Sequence, residues 1–203
     1  MIPKIEFRYS DIYDRRYRES KDIQTRLKKK KQEYPSRKEI VKYMNKAERL
    51  WKDYERDILK EISKITKLNW KEKKIICYVI GCGRSFSEPL TVRTFKKDFN
   101  TFIDTLTHEL IHQISSQDEV RYMKWHNYVL KHYSKELRIT KTHILLCAVH
   151  WEILEKMFGK KRLEKEIKRH EKPIDYKRAW KIVEEEGVDN ILKKFYKIIG
   201  REK

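Results

Sequence analysis

The sequence is poor in the residues that make staples, loops and membrane spans. Three cysteines in 203 residues, an odd number with no secretory signal ahead of them, exclude a disulfide-built secreted scaffold. Cys77 and Cys82 have a C-x4-C spacing without a second such pair, so they read as buried thiols on a strand rather than as ligands of a structural zinc. No apolar run reaches the roughly 18 residues that span a bilayer, and the expectation is a soluble, cytoplasmic protein with no integral membrane segment. With five glycines and four prolines there is little loop, and there are no repeats or low-complexity tracts. Four glutamines against fifty Lys and Arg fit a thermostable, helix-rich chain.

Charge and aromatics are plentiful. Five Trp, twelve Tyr and seven Phe supply a core and exclude a disordered chain. The net charge of +19 is uneven: residues 1–75 carry +11, residues 76–157 only +2, and residues 158–203 carry +6. Basic flanks would suit nucleic acid or another acidic surface through counterion release. Solvated helix faces explain them more simply, because no nucleic-acid motif accompanies the charge.

Helices and strands follow from pattern and punctuation. Residues 1–10 form a strand or extended arm, and 11–34 read as one helix. Pro35 breaks it, and Ser36 with Glu39 makes a capping box for a second helix over 37–66. KIICYVI at 74–80 is a buried strand before Gly81, and 90–92 is a second short one after Ser87-Glu88-Pro89. A motif helix spans 99–115. A second capping box at Ser116 and Glu119 opens a helix to about Leu137, and Thr140 or Thr142 caps the next, apolar nearly all round, which Gly159 ends. Beyond come a charged helix at 160–170, a break at Pro173, and amphipathic helices at 176–186 and 189–199 separated by Gly187. The fold class is α+β and mostly helical, with a basic helical extension at 1–73, a core at 74–159 and a basic helical C-terminal extension at 160–203.

The stretch that implies chemistry is His108-Glu109-Leu110-Ile111-His112. Residues four apart lie one turn above the other on one helix face, so both imidazoles reach one ion. Glu109 beside them is placed to take a proton from water polarised by zinc. Phe99, Phe102, Ile103, Leu106, Leu110 and Ile114 supply the core face, and Thr101, Thr105, His108 and His112 fall on another, expected to face an open cleft. In a chain with seven histidines an H-E-x-x-H arises by chance roughly 2% of the time. The bland alternative is two solvated surface histidines beside an unrelated glutamate.

A catalytic zinc needs a third protein ligand. Downstream of His112 the candidates are His126, Glu136, His143 and Glu152, at 14, 24, 31 and 40 residues. His143 and Glu152 lie in the apolar helix, where a polar side chain needs a partner. Glu152 reads as a ligand or as a group holding a ligand histidine, and His150 as a hydrogen-bonded core histidine.

KIICYVIG, SFSEPLTV, TLTHELIHQI and THILLCAV, within residues 74–159, together resemble the minigluzincins, small soluble zinc peptidases. The resemblance implies Zn2+ as cofactor, His108, His112 and His143 as metal ligands, Glu109 as catalytic base, and a peptide or unfolded protein as substrate. It further implies that segments after the core confer latency. The SprT-like, DNA-associated proteases are the alternative, with a third ligand at the His126 spacing. The remaining alternative is a zinc-stabilised basic nucleic-acid-binding or structural protein without catalysis.

Overall fold

Apolar residues alternating at Ile5 and Phe7, and the β-branched run from Lys74 to Ile80, build the sheet. The computed structural model describes residues 1–95, 97–171 and 174–201. Strands β1 (Lys4–Arg8), β2 (Lys74–Ile80), β3 (Phe86–Ser87) and β4 (Leu90–Arg93) lie in the order β1-β2-β4-β3. β1, β2 and β4 are parallel, with Ile5 opposite Ile75, Phe7 opposite Cys77 and Val79 opposite Val92; β3 returns antiparallel on β4. Ten helices among the described residues complete a mostly helical α+β fold: α1 (Asp11–Arg18), α2 (Lys21–Lys29), α3 (Arg37–Lys52), α4 (Glu55–Thr66), α5 (Phe99–Gln117), α6 (Glu119–His132), α7 (Arg138–Phe158), α8 (Lys160–Arg169), α9 (Ile174–Glu186) and α10 (Val188–Ile199). None is long and apolar enough to cross a membrane.

The chain divides into two compact units, each assembled from separated stretches. The first takes Ile2–Asp57 and Glu72–Gln113; the second takes Met1, Ile58–Lys71 and Ile114–Lys203.

In the first unit the sheet's core is joined by Phe102, whose ring stacks on Phe7 at 6.0 Å, and by Tyr43, packed on Phe99 and Phe102 at 4.9 and 5.6 Å. Asp14 is the polar anchor. Its fully buried carboxylate accepts from the Gly81 N–H at 2.8 Å, the Tyr34 hydroxyl at 2.6 Å, the Tyr9 hydroxyl at 3.2 Å and the Arg18 guanidinium at 3.0 Å. Helix α1 is thereby fixed to the end of β2. Gly81 is required by close approach, because a Cβ there would stand 2.5 Å from the Tyr34 ring and 2.9 Å from Ile40 Cδ1.

The second unit is built around α7, which buries residues on every side, Leu145, Cys147, Ala148 and Val149 among them. From α8, α9 and α10 come buried Leu163, Trp180, Val183, Ile191, Phe195 and Ile199. Trp125 of α6 meets Phe195 edge-on at 5.5 Å, and the Tyr196 hydroxyl donates to Ile65 O at 2.6 Å. Gly159, with φ 81°, ends α7.

Five boundaries differ from the sequence reading. The 11–34 helix is two helices, because the chain turns extended at Ser20 and lets Ile23 and Leu27 pack with Cys82. The helix expected over 37–66 ends at Lys52: the amides of Asp53 and Tyr54 tighten onto Leu50 O and Trp51 O, and Glu55 then accepts the Ile5 N–H at 2.6 Å. Its capping box at Ser36 and Glu39 does form. No box forms at Ser116, because α5 runs on through Gln117, whose side chain accepts the Lys71 N–H at 2.8 Å; α6 then ends at His132. Helix α7 starts at Arg138 rather than at a threonine cap, since Thr140 Oγ1 donates to Asp175 O at 3.1 Å and Thr142 Oγ1 to Ile139 O at 2.9 Å. The break expected at Pro173 lies outside the described residues. All three cysteines are free and buried, Cys77 on β2 and Cys82 just beyond it.

Removing the Asp14 carboxylate strands several buried donors at once. Asp14→Ala is expected to cost about 3 kcal/mol or more in urea unfolding. Asp11→Ala, which removes exposed ion pairs to Arg15 and Arg18 and a 3.3 Å hydrogen bond from Tyr9, is expected to cost under about 1 kcal/mol. Equal effects would remove Asp14 as the anchor.

Candidate metal centre

Helix α5 begins where Asp98 caps it: the carboxylate accepts the Thr101 N–H at 2.8 Å and the Thr101 hydroxyl at 2.9 Å. Phe102, Ile103, Leu106, Leu110 and Ile114 are buried, as their spacing requires, whereas Phe99, in the first turn, is half-buried against Tyr43. The opposite face is more enclosed than an open cleft would make it. Thr105, His108 and Glu109 are each 7% exposed, and only His112 of the motif's polar residues reaches intermediate exposure. The His108 and His112 rings, one helical turn apart, meet edge to face with centroids 5.3 Å apart. One residue further, the Gln113 amide donates to Ser87 O and, at 3.1 Å, to Glu88 Oε2, tying the helix to β3.

Glu109 is a carboxyl withdrawn from water. Burial pushes its pKa up to about 8, and the Lys97 ammonium opposes the shift. Lys97 is itself buried and donates to Thr105 Oγ1, one turn before Glu109. Cys77 lies in the field of the Glu109 carboxylate, and burial first, then that charge, raises its thiol far above the ordinary range. A cation near Glu109 favours its ionised form, as a positive charge does for any carboxylate.

His143 occupies the second turn of α7 and is also 7% exposed. Burial lowers its pKa to about 4, so the ring is neutral. Its Nδ1 lies 2.8 Å from Ile139 O. A carbonyl only accepts, so Nδ1 carries the proton and Nε2 keeps its lone pair for a ligand bond. The Tyr176 ring packs edge-on to the imidazole at 4.6 Å, and His170 stacks on Tyr176 at 5.3 Å.

Among the described residues, His108, His112 and His143 form a group placed to hold a metal ion, with one ligand atom from each within 4.8 Å of the others. Tetrahedral zinc–imidazole bonds of about 2.0–2.1 Å set nitrogens about 3.4 Å apart. Three imidazole donors are a set that zinc accepts, and they leave a fourth position open. His126 and Glu152 are outside the group. His126 is half-buried on α6, 6.5 Å from the Tyr122 ring. Glu152 is half-buried, with its pKa raised by burial and by the carboxylates of Asp189 and Glu155. His150 is fully buried beside Trp180 at 6.1 Å, and burial lowers its pKa to about 4. Lys97, Gln113 and Tyr176 were not singled out by the sequence, since each is defined by what folding brings to it. The chain matches no family model, no curated protein and no solved structure.

The chain is expected to take up about one zinc per molecule. His143→Ala should weaken zinc binding by about 100-fold or more, while His126→Ala leaves it within about 3-fold. Competition against a chromophoric chelator measures both. The reverse ranking would move the third ligand to α6.

Proposed function

We propose that this chain is a zinc-dependent metallopeptidase, with His108, His112 and His143 as metal ligands and Glu109 as general base. The observation that carries the reading is the grouping of three imidazoles, two of them from one H-E-x-x-H helix that also buries Glu109. Zinc held there supplies Lewis acidity toward water and a scissile carbonyl. Glu109 takes the proton from the attacking water and passes it to the leaving amine nitrogen. The Lys97 ammonium favours the charged carboxylate that this role begins with. The Ile139 carbonyl holds His143 in the tautomer that presents Nε2. Tyr176 restricts the same ring from the side.

The substrate class proposed is a peptide or an unfolded protein. Restraint of activity by residues 160–203 is part of the proposal. Tyr176 of that segment packs against the ligand His143, whereas α8 to α10 also supply core to α7. Truncation would expose that core, so restraint is tested by a Tyr176 substitution that leaves zinc affinity unchanged. The SprT-like reading draws less support, because His126 lies outside the imidazole group.

Glu109→Gln keeps the shape of the site and removes the base. Hydrolysis of an unfolded protein such as reduced casein should fall by about 100-fold or more, with zinc content unchanged. Proteolysis that persists at full rate in a zinc-loaded Glu109→Gln protein would refute the assignment.

A further inference from the structure

Helix α6 has two apolar sides, and the fold uses one. Trp125 and Val129 are buried, and Tyr133 follows them inward. Val120, Met123 and Leu130 fall within about 80° of one another on the helix's other side, at 100° per residue. They are 77%, 41% and 42% exposed. Two more exposed aliphatic residues, Leu137 and Ile139, follow at the start of α7. Ile174 is a sixth, at the start of α9, which the Thr140–Asp175 hydrogen bond brings beside the start of α7.

Cations border this ridge. Lys124, Lys131, Lys135 and Arg138 are all exposed. The acids nearby are largely engaged, Asp118 by Arg121 at 2.6 Å and Glu136 by Arg178 at 2.9 Å, with Glu119 alone at the start of α6.

We propose that this face, formed by α6 and the first turns of α7 and α9, docks on the surface of an anionic lipid bilayer. Projecting aliphatic side chains flanked by lysine match an interface in which apolar groups enter the acyl boundary and ammonium groups meet lipid phosphate. A nucleic acid would account for the lysines but leave the aliphatic ridge in water. A second copy would set lysine against lysine in a chain of net charge +19. The inference is independent of the metal centre.

The test is co-sedimentation of the full chain with extruded vesicles, either pure phosphatidylcholine or phosphatidylcholine with about 30% phosphatidylglycerol, at low and high salt. The expected result is binding at least about 10-fold tighter to the anionic vesicles. The combined variant V120S/M123S/L130S/L137S keeps the net charge and should lose about 10-fold or more of that affinity. L137S alone, at the end of a connection, should lose about 3-fold and serves if the combined variant does not fold. I12S, which removes an aliphatic side chain 75% exposed on α1, should change nothing. Anionic binding undiminished in the serine variants would show attraction by net charge alone and overturn the proposal. So would equal binding to both vesicle types, or no vesicle binding by a wild-type chain that is a dimer and becomes monomeric in the serine variant.

Discussion

Burial of ionisable side chains in helices α5 and α7 is the constraint on which the candidate site depends. His108, Glu109 and His143 are each 7% exposed, and withdrawing such groups from water costs several kcal/mol unless partners offset it. His143 answers by staying neutral and donating to Ile139 O, which leaves one nitrogen with a lone pair. Glu109 answers in part through Lys97 and otherwise by a raised pKa. A divalent cation would accept the imidazole lone pairs and favour the charged carboxylate together. That shared compensation links motif, burial and proposed chemistry.

Features encoded within a few residues were legible in the sequence. The strand Lys74–Ile80, the Ser36 capping box, the Gly159 stop, the two helices on either side of Gly187 and the core face of α5 all appear where periodicity and punctuation place them. What the sequence concealed depends on distant partners. Ser20 reads as an ordinary helical residue until Ile23 and Leu27 are seen packing with Cys82. Ser116 and Glu119 match a capping box, yet α5 continues past Ser116 and Gln117 meets the Lys71 amide. Asp14 looks like one more charged residue on a surface helix, and it is the most enclosed carboxylate of the first unit because Gly81, Tyr34 and Tyr9 converge on it. At the site the sequence named the histidines and Glu109 but missed Lys97, whose burial no local pattern announces.

The two units use polar groups differently. In the sheet-bearing unit a single carboxylate gathers hydroxyls, an amide and a guanidinium, so side chains remote in sequence are fixed by hydrogen bonds of 2.6–3.2 Å. In the helical unit α7 is packed by aliphatic and aromatic side chains, with His143 against Tyr176 and His150 against Trp180, and the buried carboxylate there, Glu166 of α8, is held by its near neighbour Arg169 rather than by groups remote in sequence. Helix α6 gives that unit Trp125 on one side and keeps a second apolar stripe outside.

The most direct measurement is anomalous diffraction at the zinc edge from crystals of the full chain grown with zinc. The account predicts one strong peak per chain, about 2.0–2.1 Å from a nitrogen of each of His108, His112 and His143, with Glu109 nearby but not bound to it. A peak held by His126 or Glu152 in place of His143, or no peak at the α5 histidines, would contradict it.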